Sequence, residues 1–421
     1  MESAGTLTHS LQTDKTARIQ VVDALRGFAL FGILVAHTCV WFDGGPLPGS
    51  VYAINGEGVA NTIVQTFTGI FVSGKFYTFF SFLFGLSFAL MLTRSTDSDG
   101  SFLRRFAWRL VILGAIGLLH HLHWRGDILS IYAMLGFPLL LFRNAPTRLI
   151  LVVSILLVLN VPVQLRNAYT SAFVTPPGKA QSEQQQKADE KLVAANYEVI
   201  QHGSYADVVR VNWREFETKM KFQFDSGRIY ITLGFFLLGL YAGRRRLYQH
   251  LSEHRALFRK LTKYCGFSVL GIILLFIATI SILGNNTQPP KAIEVIFSVL
   301  FDLGNAALTV FYIAGLTLLF QRVAWQRVAS PLASVGKMAL TNYVLQSIIG
   351  TLIFYGYGLG LIGKIDTATA ALFVLPVFAV QVLFSRWWLS RFQYGPLEWL
   401  WRSLTYLKAQ PMVTHQAILT Q

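Results

Sequence analysis

Arg26 and His37 are the first residues in this sequence whose types and spacing suggest chemistry. Both lie within residues 22–41, an apolar stretch as long as a membrane-spanning helix. They are eleven positions apart. On an α-helix their side chains therefore differ by about 20° around the axis and by about 16 Å along it. A cation and an imidazole on one face of a membrane helix are costly unless that face meets protein, water or a ligand. We expect this face to line a polar site.

Asp23 lies three residues before Arg26. Its carboxylate either caps the first helix or compensates the charge of Arg26, since a cation near a helix N-terminus opposes the helix dipole. Arg26 and the free N–H groups of the helix could together hold a phosphate-sized anion. Alternatively, Arg26 is only an anchor at the lipid headgroups. The sequence leaves both roles of Arg26 open.

A second candidate site is residues 120–127, with the sequence HHLHWRGD, between the third and fourth predicted spans. One histidine and Asp127 could supply a general base and the carboxylate that orients it, although the sequence does not identify the histidine. The simpler role of Asp127 is to cap the next helix. His120 and His123 can share a helical side, but no third ligand is compelled, so no metal site is predicted.

Three further cations are candidates for binding an anionic substrate. Lys75 lies between the apolar segment 59–73 and the second predicted span, where snorkelling to the headgroups is the alternative. Arg104 and Arg105 lie at the start of the third predicted span. Together with Arg26 they could bind the phosphates of a substrate.

Other polar residues suggest structure more than chemistry. Asn342 and Gln346 lie four positions apart in the ninth predicted span, where they are expected to hold helices together. The sequence contains neither a G-x-S-x-G nucleophile motif nor a phosphate-binding loop of the form G-x-x-x-x-G-K-[ST].

The composition is typical of a membrane protein. The 421 residues are 53% hydrophobic and 14% charged, and 33 of them are Phe. The mean hydropathy is +0.48. Apolar runs long enough to cross a bilayer recur along the chain. The net charge of +15 comes largely from cations in short loops, without a basic face that carries stacking aromatics, which argues against nucleic acid as a partner.

These patterns predict an all-α fold, a polytopic membrane helix bundle of about ten transmembrane helices. Segment 59–73 is interrupted by polar residues and is predicted to be an interfacial or re-entrant helix. The long loop 166–228 is expected to be a helical cap or, equally, a solvated connector. The predicted spans are residues 22–41, 76–92, 102–122, 128–142, 148–165, 229–243, 264–283, 295–320, 334–357 and 369–389.

The distribution of Lys and Arg predicts that both termini are cytoplasmic, because cations concentrate in alternate short loops. The predicted organisation has five parts. These are a cytoplasmic segment 1–21, five spans within 22–165, an extracytoplasmic helical loop 166–228, five spans within 229–390 and a cytoplasmic tail 391–421. The lipid bilayer is therefore the first expected partner.

Several stretches resemble the YeiB-like family of bacterial multi-pass membrane proteins, which is classed as a domain of unknown function. The similar stretches are residues 23–30, 74–77, 80–85, 126–129, 132–133, 339–343 and 394–402. That family is distantly similar to membrane acyltransferases that modify sugars with groups from cytoplasmic acyl-CoA. The signature of those enzymes is a first-helix Arg, ten intervening residues and a His, and Arg26 and His37 reproduce it.

The resemblance implies a membrane acyltransferase of the bacterial cytoplasmic membrane. Acyl-CoA would be a co-substrate, with no bound cofactor, and its phosphates would meet Arg26 from the cytoplasm. His37 would act as a general base or transient acyl carrier. The acceptor, a sugar or lipid-linked glycan, would enter near His120 and Asp127. A transporter or exporter of a small or lipid-like solute, and a membrane protein without catalysis, are the alternatives.

Overall fold

The computed structural model describes residues 20–42, 56–94, 99–174, 178–283 and 291–413. These ranges consist of helices joined by turns and short connections. Their only β-structure is an isolated bridge between Phe392 and Val413. The predicted all-α fold is confirmed.

The first helix, α1, covers residues 20–36 and continues into a π-helical turn, His37–Phe42. The first half of the chain then forms α2 (Val59–Phe71), α3 (Phe76–Arg94), α4 (Asp99–His123), α5 (Leu129–Leu141), α6 (Thr147–Val158) and α7 (Val161–Phe173). The remaining helices are α8 (Lys179–His202), α9 (Tyr205–Asp225), α10 (Arg228–Arg244), α11 (Arg255–Leu283), α12 (Lys291–Phe320), α13 (Gln326–Lys337), α14 (Ala339–Phe354), α15 (Thr367–Ala371), α16 (Val374–Leu389) and α17 (Pro396–Tyr406).

Within the described ranges, five helical stretches are long and apolar enough to cross a membrane, by length and composition. They are Gln20–Val40, Val59–Thr93, Arg255–Thr279, Val295–Phe320 and Thr367–Leu389. Helices α6 and α7 count as a sixth if they form one span, bent by 50° at its break. Two further apolar helices, α5 and α14, are shorter. An all-helical fold with five candidate membrane spans is therefore shown for the described ranges, and ten crossings stay a prediction.

The segment predicted as an interfacial or re-entrant helix forms α2, which leads directly into α3. Together they make one apolar stretch of 35 residues. Val59, Ile63 and Phe67 are exposed on one side of α2, whereas Asn61 and Thr68 are buried. The exposed apolar side matches contact with lipid, and an interfacial position of α2 stays a prediction.

Helix α10 lies in the centre of the bundle, against α3 and α6. A Cβ atom added at Gly85 of α3 would lie 1.9 Å from the carbonyl oxygen of Phe236 in α10. One added at Gly239 of α10 would lie 2.1 Å from the carbonyl oxygen of Phe82. Glycine therefore allows close contact between the two backbones, as it does in helix pairs of membrane proteins.

Helices α8 and α9, from the predicted loop 166–228, pack on one end of the bundle, which we call the cap end. Tyr197 and Ile200 of α8 and Val208 of α9 are buried there. They form one apolar cluster with residues of the bundle, including Phe42 and Trp124. The Nδ2 group of Asn212 in α9 donates to the carbonyl of Leu122, at 3.0 Å. The cap therefore contacts the turn that carries the histidines.

Helix α17, which belongs to the predicted cytoplasmic tail, packs on the opposite end of the bundle. The Nε1 group of Trp401 donates to the carbonyl of Arg109, at 2.9 Å. The Glu398 carboxylate accepts from the backbone N–H groups of Leu340 and Thr341, at 2.6 and 3.1 Å. These are free N–H groups at the start of α14, so Glu398 satisfies donors that the helix itself cannot. This end of the bundle therefore includes residues 396–406.

Candidate functional site

A cavity of about 370 Å³ lies between α1, α3, α4, α5 and α14. Its size is within the usual range of ligand pockets, about 300–1,000 Å³. Most of its wall is apolar, and it includes Ile33, Phe80, Leu83, Phe84, Leu90, Met91, Phe106, Leu110 and Leu113. On α3 alone the wall runs from Tyr77 to Met91, a distance of about 21 Å along a helix. The cavity is therefore long and narrow.

One end of the cavity is lined by Arg26, Arg109 and Lys337, and we call it the cationic end. Arg26 Nη1 pairs with Asp23 Oδ1 at 2.5 Å, and Nη2 donates to Ser87 Oγ at 2.8 Å. The Asp23 carboxylate therefore compensates the charge of Arg26, which is one of the two roles that the sequence predicted for it.

Arg109 was not a sequence candidate, although it lies four residues after Arg105 in the same helix. Its guanidinium stacks on the Trp401 ring, 3.8 Å from the ring centroid. The neighbouring Glu398 is engaged with the start of α14. The cationic end therefore combines Arg109, held over an aromatic ring, with Arg26 and Lys337. Such a group of cations suits a phosphate or another anion.

The other end of the cavity is lined by Tyr77, Tyr132 and Tyr343. The Tyr343 hydroxyl accepts from the Ile128 N–H at 3.1 Å and donates to the carbonyl of Gly126 at 3.4 Å. Tyr343 is thereby fixed against the start of α5, at the boundary between the cavity and the turn that carries the histidines.

His37 lies behind Tyr343 and does not line the cavity. The centroid of its ring is 4.4 Å from that of Trp124 and 5.8 Å from that of Tyr343. Its exposed fraction is 7%, and its Nδ1 atom has no hydrogen-bond partner among the described residues. Unpaired buried polar atoms are uncommon in proteins, and a catalytic role is one reason for them. Arg26 and Ile33, on the same face of α1, do line the cavity.

His120 is the histidine that Asp127 orients. His120 Nδ1 is 2.9 Å from Asp127 Oδ1, and His120 Nε2 is 2.7 Å from Ser347 Oγ. Asp127 also accepts from the backbone N–H groups of Leu129 and Ser130, at 2.9 and 3.0 Å. The carboxylate therefore serves the start of α5 and the histidine together, so the two roles that the sequence offered for it are compatible.

Lys219 of the cap completes this cluster. Its Nζ atom is 3.2 Å from Asp127 Oδ2. The Lys219 side chain is nearly buried and that of Asp127 is fully buried. Burial alone would raise the pKa of Asp127, but the Lys219 ammonium and the hydrogen bonds from His120 and Ser130 outweigh it and hold that pKa well below the usual range. Burial lowers the pKa of Lys219, and Asp127 offsets part of that shift.

An ionised Asp127 fixes the tautomer of His120. The proton of the neutral ring then lies on Nδ1, where it is donated to the carboxylate, and Nε2 is left as an acceptor. Ser347 Oγ is the hydroxyl at Nε2. The order serine, histidine, carboxylate is that of a serine nucleophile with its base and orienting acid.

The other two histidines have different partners. His121 Nε2 is 2.8 Å from the carbonyl oxygen of Asn212, and Lys219 approaches His121 Nδ1 at 3.4 Å. His123 Nε2 is 3.1 Å from Thr351 Oγ1. No group of three or more His, Cys, Asp or Glu that could hold a metal occurs in the part of the chain that the structure describes.

Three of the predicted substrate-binding cations do not line the cavity. Lys75 Nζ donates to the carbonyl of Gly69 at 2.9 Å, and Lys75 is only 3% exposed, so it ties α2 to α3. Arg105 lies over the ring of Tyr406, 5.6 Å from its centroid. Arg104 is exposed.

Ser347, Lys219 and Tyr343 were not sequence candidates. Lys219 and Ser347 are 92 and 227 positions away from their partners Asp127 and His120. No local spacing could therefore have found these two contacts.

Comparison with known proteins identifies the family. A family model, Protein of unknown function (DUF418), matches residues 242–408. The uncharacterized protein YxaH of Bacillus subtilis is 31% identical, over 96% of this chain and 98% of its own length. The uncharacterized protein YeiB of Escherichia coli is 27% identical, over 93% and 97%. No solved structure matches the chain. The chain belongs to the YeiB-like DUF418 family.

Proposed function

We propose that the chain is an integral-membrane acyltransferase that uses a donor such as acyl-CoA. The observation that carries this proposal is the cavity, which joins the cationic end to Tyr343, beside both His37 and His120. A long, mostly apolar cavity between an anion site and a tyrosine that contacts two histidines suits a ligand with a charged head and a reactive group far from it.

In this proposal the phosphates of the donor lie at the cationic end, against Arg26, Arg109 and Lys337. Charge-assisted hydrogen bonds to phosphate are roughly twice as strong as neutral ones, and arginine binds phosphate with two parallel bonds. The arm of the donor lies in the cavity, whose wall along α3 is about 21 Å long. The thioester then reaches Tyr343.

His120 is the general base of the proposed reaction. Asp127 orients its ring, so Nε2 can accept the proton of the hydroxyl that receives the acyl group. His37 lies behind the Tyr343 ring, so it can act only once that ring has moved aside. When the proton of His37 lies on Nδ1, this unpaired atom can then donate to the carbonyl oxygen of the thioester. Negative charge develops on that oxygen during acyl transfer, so a donor held there by the fold accelerates the reaction.

The proposed membrane arrangement follows from this direction of transfer. The chain crosses the bacterial cytoplasmic membrane ten times, both termini are cytoplasmic, and the cationic end faces the cytoplasm, where acyl-CoA is found. The cap end faces outward, and a sugar or lipid-linked glycan reaches the histidines beneath α8 and α9. The positive-inside distribution of Lys and Arg supports this orientation.

Filling the cavity tests the proposal. In Leu113→Trp the indole ring occupies the cavity. We expect the purified protein to lose acyl transfer from labelled acyl-CoA, while size-exclusion chromatography shows that it is still folded. Arg26→Ala should instead raise KM by about 10-fold to 100-fold, because a hydrogen bond to a charged group contributes roughly 1.5–3 kcal/mol.

Leu119→Trp is the matched control, since Leu119 lies on the same helix with 69% of its surface exposed. It should transfer at the wild-type rate. Full activity in Leu113→Trp, or no transfer by the wild-type protein with any acyl-CoA, would contradict the proposal.

A transporter is the second candidate, favoured by the break between α6 and α7. Asn160, at this break, has a φ of 56° and donates to Asp302 of α12 at 3.1 Å. Broken helices beside a charged residue occur at the binding sites of many transporters. Solute flux in proteoliposomes without an acyl donor, unchanged in Leu113→Trp, would favour this alternative.

A further inference from the structure

We propose that Ser347 is a nucleophile, and that the acyl group is bound to its Oγ atom before it reaches the acceptor. This inference deepens the proposed acyl transfer and rests on it for the identity of the donor. It is carried by one contact, because the Ser347 hydroxyl lies 2.7 Å from the Nε2 atom of His120, whose Nδ1 atom is bonded to Asp127.

The hydrogen-bond partners of Ser347 determine which acceptor receives its hydroxyl proton. Ser347 Oγ is also 2.8 Å from the carbonyl oxygen of Val344, a bond that serine commonly makes within its own helix. His120 Nε2 is an acceptor as long as Nδ1 donates to Asp127. Since Nε2 can then be satisfied only by a donor, the single hydroxyl proton of Ser347 is shared between His120 Nε2 and the carbonyl oxygen of Val344, to which it also donates. This arrangement activates a serine.

Other buried hydroxyl groups in the described residues lack this environment. Ser385 Oγ accepts from the side chain of Asn342 at 2.9 Å, and Ser81 Oγ bonds to the Tyr132 hydroxyl at 2.7 Å. Thr351 does contact His123, but no carboxylate is hydrogen-bonded to His123 in the described ranges. Ser347 is therefore distinguished by its base and by the acid behind that base.

Access to Ser347 is controlled by Tyr343. Tyr343 precedes Ser347 by one turn of α14, lines the end of the cavity, and has its ring centroid 5.1 Å from that of His120. Ser347 itself is fully buried. A thioester in the cavity therefore meets Tyr343 first. The Tyr343 hydroxyl must release the Ile128 N–H and the Gly126 carbonyl, and the ring must move aside, before the carbonyl carbon reaches Oγ.

The reaction has two balanced steps. Ser347 Oγ attacks the thioester carbonyl and its proton passes to His120 Nε2; the carbon–sulfur bond breaks, and the leaving thiolate takes that proton. An ester on Ser347 and a free thiol result. The acceptor hydroxyl then attacks the ester and gives its proton to Nε2. The bond between the acyl carbon and Oγ breaks, and Oγ recovers the proton.

A small alkyl fluorophosphonate tests this inference without knowledge of the donor. An activated serine displaces its fluoride and keeps the phosphonyl group. We expect mass spectrometry of the full-length purified protein to find the phosphonyl group on Ser347. We also expect the labelling rate to fall by about 100-fold or more in His120→Gln. The label should be absent in Ser347→Ala and retained in Ser385→Ala, the matched buried serine. With labelled acyl-CoA, the wild-type protein should carry the acyl group on Ser347.

The outcomes separate this inference from the proposed function. Phosphonyl label on Ser347 without transfer from any acyl-CoA would support the nucleophile and contradict the proposed donor. Transfer that persists in Ser347→Ala would overturn the nucleophile and leave the acyltransferase. Failure of the wild-type protein to label at Ser347, or label that survives in Ser347→Ala, would also overturn the nucleophile.

Discussion

Replacing His120 by alanine is expected to reduce acyl transfer by about 10²–10⁴-fold, the usual contribution of a general base. The variant keeps the contacts of Asp127 with Lys219, Leu129 and Ser130, so it should fold. The loss should appear in kcat, because His120 accepts a proton in the transition state and does not line the cavity that binds the donor.

His123→Ala is the matched control for this prediction. His123 lies one turn beyond His120 and contacts Thr351, without a carboxylate partner in the described part of the chain. We expect it to retain transfer. The measurement is the initial rate of acyl transfer by each purified variant at a saturating donor concentration. If His120→Ala and His123→Ala lost acyl transfer equally, the activity would depend on the structure of the turn and not on His120 as a base.

Replacing Asp127 by alanine is expected to destabilise the protein by about 3–5 kcal/mol, the usual effect of removing one partner of a buried ion pair. The Lys219 ammonium, with 9% of its side chain exposed, would lose its counterion. Backbone N–H groups at the start of α5 would also lose an acceptor. Thermal unfolding in detergent, followed by intrinsic fluorescence, measures the difference between variant and wild type.

The double variant Asp127→Ala with Lys219→Met isolates the charge effect. It should be more stable than Asp127→Ala alone, because the unpaired ammonium has been removed. Asp225→Ala is the control, since its ion pair with Arg166 is largely exposed and exposed pairs contribute little. If Lys219→Met gives no recovery, the ion pair does not couple the cap to the histidine turn.

The first helix illustrates how far periodicity alone could predict the site. Its apolar length indicated a membrane span, and the spacing of Arg26 and His37 put both on one face. Arg26 does line the cavity, but Tyr343 separates the cavity from His37. That ring comes from α14, so its position depends on packing between distant segments, which helical spacing does not determine.

The histidine turn illustrates the same limit. The sequence paired one histidine with Asp127 because they are close in the chain, and the geometry selects His120. In α14 the prediction for Asn342 and Gln346 was helix contact. Asn342 does bond to Ser385, and Gln346 to Gln381. Ser347 is next to Gln346 in the sequence but contacts His120. Which of the two residues contacts His120 depends on how α14 is rotated about its axis in the bundle.

The most direct test of the proposed donor site is a structure of the protein determined with a non-hydrolysable acyl-CoA analogue. We predict density in the cavity, with the phosphates beside Arg26 and Lys337 and the group that replaces the thioester next to Tyr343 and His120. Density for the analogue at another site, or a cavity that stays empty at saturating analogue, would contradict the claim that this cavity connects the cationic end to the histidines.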